Sequence, residues 1–437
     1  MALYRIRKMN LYVKMKNLNE TFCVLPWIHS FVNSNGNYLI CCSSEEFHSG
    51  ILNEKGGFYN IGTSPSIEEI MNSQFMKDIR KKLLDGHWPE ECKRCMQTEF
   101  NKGISRRIIE NNSRADSIQT LIENTAPDGA ININIKSADY RLGNFCNLEC
   151  RMCSPYSSNK WIKNWNLVKT KDEHISESKL IELGSYDWIK TEVLINEFSA
   201  KLSTLDHLHF AGGEPLISPK MEEMLKICIA RRFSHKITLT YNTNLTKLPP
   251  KILELWKHFK GVRLLCSVDG IGKMNEYIRF PSIWSEVEKN LNFLDNNFKK
   301  FKIEQVLLST TVQIYNIQHL PQIYKFLASF HNIVKAPNLI NLYYPSYLQS
   351  SLIPEQIKPR IEKELIATAN ELKDKLNPED QYLIENIFQI INFMKKEISD
   401  VKSIEKFIFV NSNIDKIKGI FLHEHIPELH NVLFNQL

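Results

Sequence analysis

Residues 143–155 read GNFCNLECRMCSP, which puts Cys146, Cys150 and Cys153 within eight residues of a 437-residue chain that holds ten cysteines in all. Chance would produce that spacing roughly 0.005 times in a chain of this cysteine content. The flanking residues are Asn, Glu and Arg, so the cysteines do not belong to an apolar core pattern. Zinc sites usually pair their thiolates in C-x2-C knuckles, and an iron–sulfur cluster takes four. Three local thiols therefore point to a metal centre with one open position. A zinc site of three thiolates completed by a distant His is the competing reading.

On either side of this stretch, short β-rich runs alternate with amphipathic helical ones. AININIKSADYRL precedes the cysteines, and LDHLHFAGG, KITLTYNTN, VRLLCSVDG, EQVLLSTTVQ and PNLINLYYP follow them. Six strands separated by helices predict successive βαβ units and a parallel sheet or partial barrel over residues 127–346. Residues 1–126 hold five cysteines and turn signals such as SNGN and EKGG, which predicts a loop-rich, metal-stapled unit. From 347 to 437 the pattern is helical and rich in Lys and Glu, an extension expected to cover the open side of the barrel.

Composition supports a globular chain with an ordinary core, at 43% hydrophobic and 24% charged residues. The formal net charge of +6 is modest for this length, so nucleic acid is not indicated as a partner, and no run approaches the ~18 apolar residues of a membrane span. Residues 1–20 interrupt every apolar run with Lys, Arg or Asn, which argues against a secretory signal and for a cytoplasmic location. In a reducing compartment clustered cysteines are metal ligands or redox groups more often than disulfides.

CNLECRMC after a predicted strand resembles the cluster motif of the radical S-adenosylmethionine (SAM) superfamily. FAGGEP, TYNTN, CSVDG and NEYIR follow in the order that family shows. The resemblance spans about residues 130–346 and implies a partial (β/α)6 TIM-like barrel. It also implies that Cys146, Cys150 and Cys153 bind three irons of a [4Fe-4S] cluster, SAM chelating the fourth. Gly212, Gly213, Glu214 and Pro215 would receive the SAM amino group. Glycine's missing Cβ lets backbone come close at such a turn. Ser267 would contact SAM, and Arg279 would pair with its carboxylate. Met152 stands where an aromatic residue is commoner and would contact adenine through backbone. A strand-end turn at 212–215 and an exposed helix charge at Arg279 are the plainer readings.

Cys23, Gly36 and Cys41 with the later pair Cys92 and Cys95 resemble a twitch or SPASM-type auxiliary module, here placed before the barrel. The resemblance implies a second [4Fe-4S] cluster with all four irons held by thiolates. A structural zinc site suits the same four ligands. Cys42 is left over, and Cys228 and Cys266 lie in apolar runs that read as core. His423 and His425 lack i, i+4 spacing and read as surface residues. His207 and His209 share one face of a strand, where packing competes with catalysis. The motif of Asn19 matters for glycosylation only after secretion.

The function implied is reductive cleavage of SAM to a 5′-deoxyadenosyl radical that abstracts hydrogen from a peptide or protein. A carbohydrate or nucleotide small molecule is the alternative substrate. A non-catalytic iron–sulfur electron-transfer or sensing protein is disfavoured, because it would need no SAM pocket. The implied electron donor is a flavodoxin or ferredoxin.

Overall fold

The computed structural model describes residues 19–44, 50–63, 65–100, 103–396 and 401–434. The expectation about a signal at residues 1–18 lies outside them. The chain is mixed α/β, and its eight strands form an open sheet that is not closed into a barrel among the described residues. Two compact units make up the chain: Met1–Arg141 with Asp187–His209 and Ala230–Ile237, and Leu142–Tyr186 with Phe210–Ile229 and Thr238–Leu437.

In the first unit, β1 (His29–Val32) and β2 (Tyr38–Leu39) are antiparallel, with Phe31 opposite Leu39. SNGN makes their turn as predicted: Gly36 has φ +85° and its N–H donates to the Asn33 carbonyl at 2.8 Å. EKGG likewise turns at Gly56, with φ +77°. β1 also pairs in parallel with β3 (Ser137–Arg141), His29 opposite Ser137. The segment read as loops therefore supplies two strands beyond the six expected.

It is also more helical than expected, with helices at Gln74–Leu84, Lys93–Phe100, Arg106–Ser113 and Ala115–Glu123. The first of these is capped by Ser73 and buries Met76, Ile79 and Leu83, a helical spacing that the flanking turn signals mask. Arg80 on the same face is fully buried. Its guanidinium donates to the carbonyls of Gly129, Pro26 and Met71 at 2.7, 3.0 and 2.6 Å, so no donor group is left bare. The run of alternating Ile and Asn before β3 forms no strand of its own. Asn72 binds its backbone at Ile131 in both directions, at 3.0 Å each.

In the second unit, β5 (Thr238–Thr243), β6 (Gly261–Ser267), β7 (Ile303–Val312) and β8 (Asn338–Asn341) pair in parallel in chain order. Helices Pro250–Trp256, Trp284–Asn296 and Leu320–Leu327 lie between successive strands, so the predicted βαβ rhythm holds here. β4 (His207–Ala211) is the remaining expected strand. A buried aromatic group stacks behind β5: Tyr241 lies 5.7 Å from Phe210 and 5.6 Å from Trp256, whose indole N–H donates to the Tyr241 hydroxyl. Beyond Pro354 the chain is helical as read, at Lys358–Leu372, Tyr382–Met394, Val401–Lys418 and Pro427–Phe434. Cys228 and Cys266 are fully buried core residues. His423 is exposed, and the ring of His425 lies 4.7 Å from that of Tyr277.

Candidate functional sites

In the second unit the cysteine loop is fixed by its backbone. The N–H of Glu149 donates to Phe280 at 2.6 Å and that of Arg151 to Ile278 at 2.9 Å. The Trp161 indole donates to the Cys150 carbonyl at 3.0 Å, and Asn144 holds Pro155 at 2.7 Å. Cys146 and Cys150 are buried with Leu148, and Met152 and Cys153 pack against them. Burial first, then Cys150, pushes the Cys146 thiol up to about 12. A hydrogen bond with Cys153 and burial push Cys150 up as well. Thiols in such a place are neutral until a cation draws the proton off.

Of the sequence-predicted residues, Met152, Gly213, Glu214 and Arg279 meet at this loop. Gly212 and Gly213 have φ +77° and +52°. The close approach at Gly213 is to the chain itself: a Cβ there would lie 2.2 Å from the Phe145 carbonyl oxygen. That carbonyl accepts the Glu214 N–H at 2.9 Å, which ties the glycine turn to the residue before Cys146. Glu214 accepts from the Thr243 hydroxyl at 2.6 Å and from the N–H groups of Asn244 and Leu216 at 2.7 and 3.1 Å. A carboxylate has about four acceptor sites, so one remains for a further donor such as an ammonium group. Burial raises Glu214 to about 7, against the pull of those three donors. Pro215 is buried in the turn that follows.

Ser267 closes β6, opposite Ser309. Arg279 is a buried ion-paired cation, not an exposed helix charge. Its Nε lies 2.7 Å from Asp269 Oδ2, and its Nη1 points at Cys150 Sγ from 3.9 Å. Two residues that the reading left without a role also reach the loop. Asn244 at the end of β5 places its amide nitrogen 3.9 Å from Cys146 Sγ and 3.0 Å from the Asn147 side chain, and Thr246 donates to Asn244 at 2.6 Å. Their position past the carboxyl end of a parallel strand was the available signal.

In the first unit, Cys23, Cys41, Cys92 and Cys95 line one cavity with Trp88, Arg106 and Arg107. Helix Arg106–Ser113 holds the backbone on either side of Cys23. Asn111 accepts from the Val24 N–H at 2.8 Å and donates to the Phe22 carbonyl at 2.7 Å, which also accepts from Arg107. Burial, then Cys41 and Cys92, holds the Cys23 thiol well above its usual range. Four sulfur donors facing one space are the donor set of a thiolate-bound cluster. The sulfur of the neighbouring Cys42 lies against the guanidinium of Arg106, which itself lines this cavity. His209 pairs with buried Asp139, Nδ1 to Oδ2 at 3.0 Å, so that strand face is polar rather than simply packed. Among the described residues no three His, Cys, Asp or Glu side chains close around a single-ion position. Thiolates of a four-iron cluster each take a separate iron and stand further apart.

Two family models match the chain: the radical SAM superfamily over residues 140–327, and the SPASM iron–sulfur cluster-binding domain over residues 23–96. No curated protein matches. Similar solved structures include native anSMEcpe with bound AdoMet, at 17% identity and TM-score 0.33, covering 54% of this chain and 61% of that one. Streptococcus suis SuiB bound to precursor peptide SuiA is another, at 13% identity and TM-score 0.35, covering 71% and 63%. The chain thus spans about three fifths of the length of these two. Among the described residues no helix is long and apolar enough to cross a membrane. The two matched domains bring iron–sulfur clusters and SAM as cofactors, and the thiol sets fall inside their bounds. The chain carries a radical SAM domain over residues 140–327 and, ahead of it, a SPASM iron–sulfur cluster-binding domain over residues 23–96.

Proposed function

We propose that the chain cleaves SAM reductively and modifies a peptide or protein by hydrogen abstraction. Cys146, Cys150 and Cys153 hold the SAM-binding [4Fe-4S] cluster in this reading, and Cys23, Cys41, Cys92 and Cys95 hold a second, auxiliary one. The observation that carries it is the division of seven cysteines into two sets. Three sit on one loop beside Glu214, Asn244 and Arg279, and four line a separate cavity. The first set leaves a fourth iron for a ligand and the second leaves none.

When bound, the cluster and SAM supply a 5′-deoxyadenosyl radical after one electron arrives from a flavodoxin or ferredoxin. The chain's own groups then have defined tasks. Glu214 offers its remaining acceptor site to the SAM amino group, supported by the Gly212–Pro215 turn. Arg279, kept charged by Asp269, faces a carboxylate. Ser267 and the backbone at Met152 complete the contacts. Residues 1–126 serve as the auxiliary module, 127–346 as the catalytic part and 347–437 as the helical extension. A peptide or protein substrate is the reading that the SPASM domain favours.

The test is anaerobic reconstitution, expected to give about eight irons per chain. Replacing Cys146, Cys150 and Cys153 together by Ala should remove about half the iron and all SAM cleavage. SAM cleavage by that variant would overturn the assignment. Deuterium in 5′-deoxyadenosine after incubation with deuterated cellular peptides supports the substrate class. Deuterium from the small-molecule fraction alone moves it to a carbohydrate or nucleotide.

A further inference from the structure

Both charged residues inside the cysteine loop, Glu149 and Arg151, are buried, and both are paired to one helix far along the chain. Arg151 Nη2 lies 2.6 Å from Asp415 Oδ1, and its Nη1 donates to the Asn411 side chain at 2.9 Å. Glu149 pairs with Lys418. Asp415 and Lys418 stand three residues apart on helix Val401–Lys418, so they share a face. The loop thus presents an anion and a cation on either side of Cys150, and the helix presents the complementary pair.

The environment of Arg151 is complete. Its Nε donates to the Tyr277 carbonyl at 2.8 Å, and its guanidinium lies 3.6 Å from the Tyr277 ring centroid. Asp415 also accepts from the Tyr277 hydroxyl at 3.1 Å, the Asn411 amide at 3.1 Å and the Leu422 N–H at 2.7 Å. Asn411 accepts from the Tyr315 hydroxyl at 2.8 Å. On the other side, Lys418 lies over the rings of Trp161 and Phe280, 5.1 and 4.7 Å from their centroids. Trp161 donates to Cys150, and Phe280 accepts from the Glu149 N–H. A buried ion pair adds little net stability, because desolvation offsets the attraction, but breaking one partner strands a charge. Two pairs of opposite sense therefore select one register of loop against helix, since a slip would face like charges or leave both unpaired.

We propose that helix Val401–Lys418 is a positioning element for the cysteine loop, which fixes Cys150 through the Arg151–Asp415 and Glu149–Lys418 clamps. Asp415, Asn411 and Lys418 are positioning residues, and their place here rests on the reading that Cys146, Cys150 and Cys153 hold the SAM-binding cluster. This helix lies beyond residue 327, where the radical SAM match ends.

The experiment uses the full chain, reconstituted anaerobically and reduced, with electron paramagnetic resonance recorded with and without SAM. Asp415→Asn keeps the shape of the side chain but removes the charge. It should reduce the SAM-induced change in the spectrum at least tenfold at a SAM concentration that saturates the wild type. Leu365→Ala, on helix Lys358–Leu372, truncates a fully buried side chain away from the loop. It should lower the melting temperature while leaving the spectrum unchanged. Lys418→Met probes the second clamp should Asp415→Asn fail to fold, and Lys418→Arg should restore the wild-type spectrum. An unchanged SAM response in Asp415→Asn, or in Lys418→Met where that is the variant that folds, overturns the clamp alone. Absence of any SAM-responsive signal in the wild type instead removes the cluster assignment on which the clamp rests.

Discussion

Gly213→Ala is the substitution whose cost the structure defines most closely. The added Cβ would meet the Phe145 carbonyl oxygen at 2.2 Å, its carbon at 2.7 Å and the Phe145 nitrogen at 2.9 Å. All three atoms are backbone, so relief requires moving a peptide by about 1 Å, not turning a side chain. The residue also sits at φ +52°, where an L-residue costs about 1–2 kcal/mol and overpacking adds about 1–3 kcal/mol. A loss of roughly 2–5 kcal/mol corresponds to a melting shift of about 4–9 °C for a unit of this size. Gly272→Ala supplies the comparison, because Gly272 has φ +61° but nothing within 4 Å of an added Cβ. At φ +61° and ψ −133° it should lose only the conformational part, about 1–3 kcal/mol or roughly 2–5 °C. Thermal unfolding by circular dichroism measures both. The peptide that must move lies next to Cys146, so Gly213→Ala should also lower the iron bound on reconstitution, and Gly272→Ala should not. Equal melting temperatures and equal iron in the two variants would refute the argument that the Phe145 contact is what demands glycine.

Arg279→Lys keeps a cation beside Asp269 but loses the guanidinium fork, so SAM affinity should fall about tenfold by equilibrium dialysis with iron unchanged. Glu214, raised to about 7 from an ordinary value of 4.5, makes a pH-dependent contribution. Its folded form holds the proton more tightly than the unfolded chain, so that contribution is full below about pH 4.5 and is lost as pH rises to about 7, by about 3 kcal/mol. The melting temperature of the metal-free chain should accordingly fall across that window, and Glu214→Gln should flatten the slope. Cys92→Ala with Cys95→Ala should halve the iron while SAM cleavage persists. Loss of product in that variant marks a redox role for the auxiliary cluster, and unchanged product formation marks a structural one.

What was legible in the sequence was whatever local spacing encodes. The three cysteines, the glycine turn and the six strands 127–346 each fit in a window of a dozen residues, and period-2 apolar runs bounded by turn residues expose such strands directly. β1 and β2 give no such signal. Four residues, HSFV, and then two, YL, are too short to show a period, and they sit among turn signals that read as loop. The glycine turn was located correctly, but its physical reason was visible only in three dimensions. Gly213 is glycine because Phe145 passes against it, a contact between residues 68 positions apart.

The charged residues inside the cysteine motif mark the limit of local reading most clearly. Glu149 and Arg151 alternate with cysteines in a loop, a pattern that by itself reads as solvated, yet both are buried. Their partners lie more than 260 positions away on a helix with four Lys and a single Glu in eighteen residues, whose own pattern does not announce them. Arg279 shows the same limit, since a lone Arg at the end of a short helix does not announce a buried carboxylate ten residues before it. A buried charge is tolerated only when its counter-charge is fixed. The second halves of these pairs are therefore as much a part of the site as the cysteines, though no motif carries them. Around Cys150, one short segment supplies the chemistry, and the distant Asp415 and Lys418 restrain the Glu149 and Arg151 that flank it.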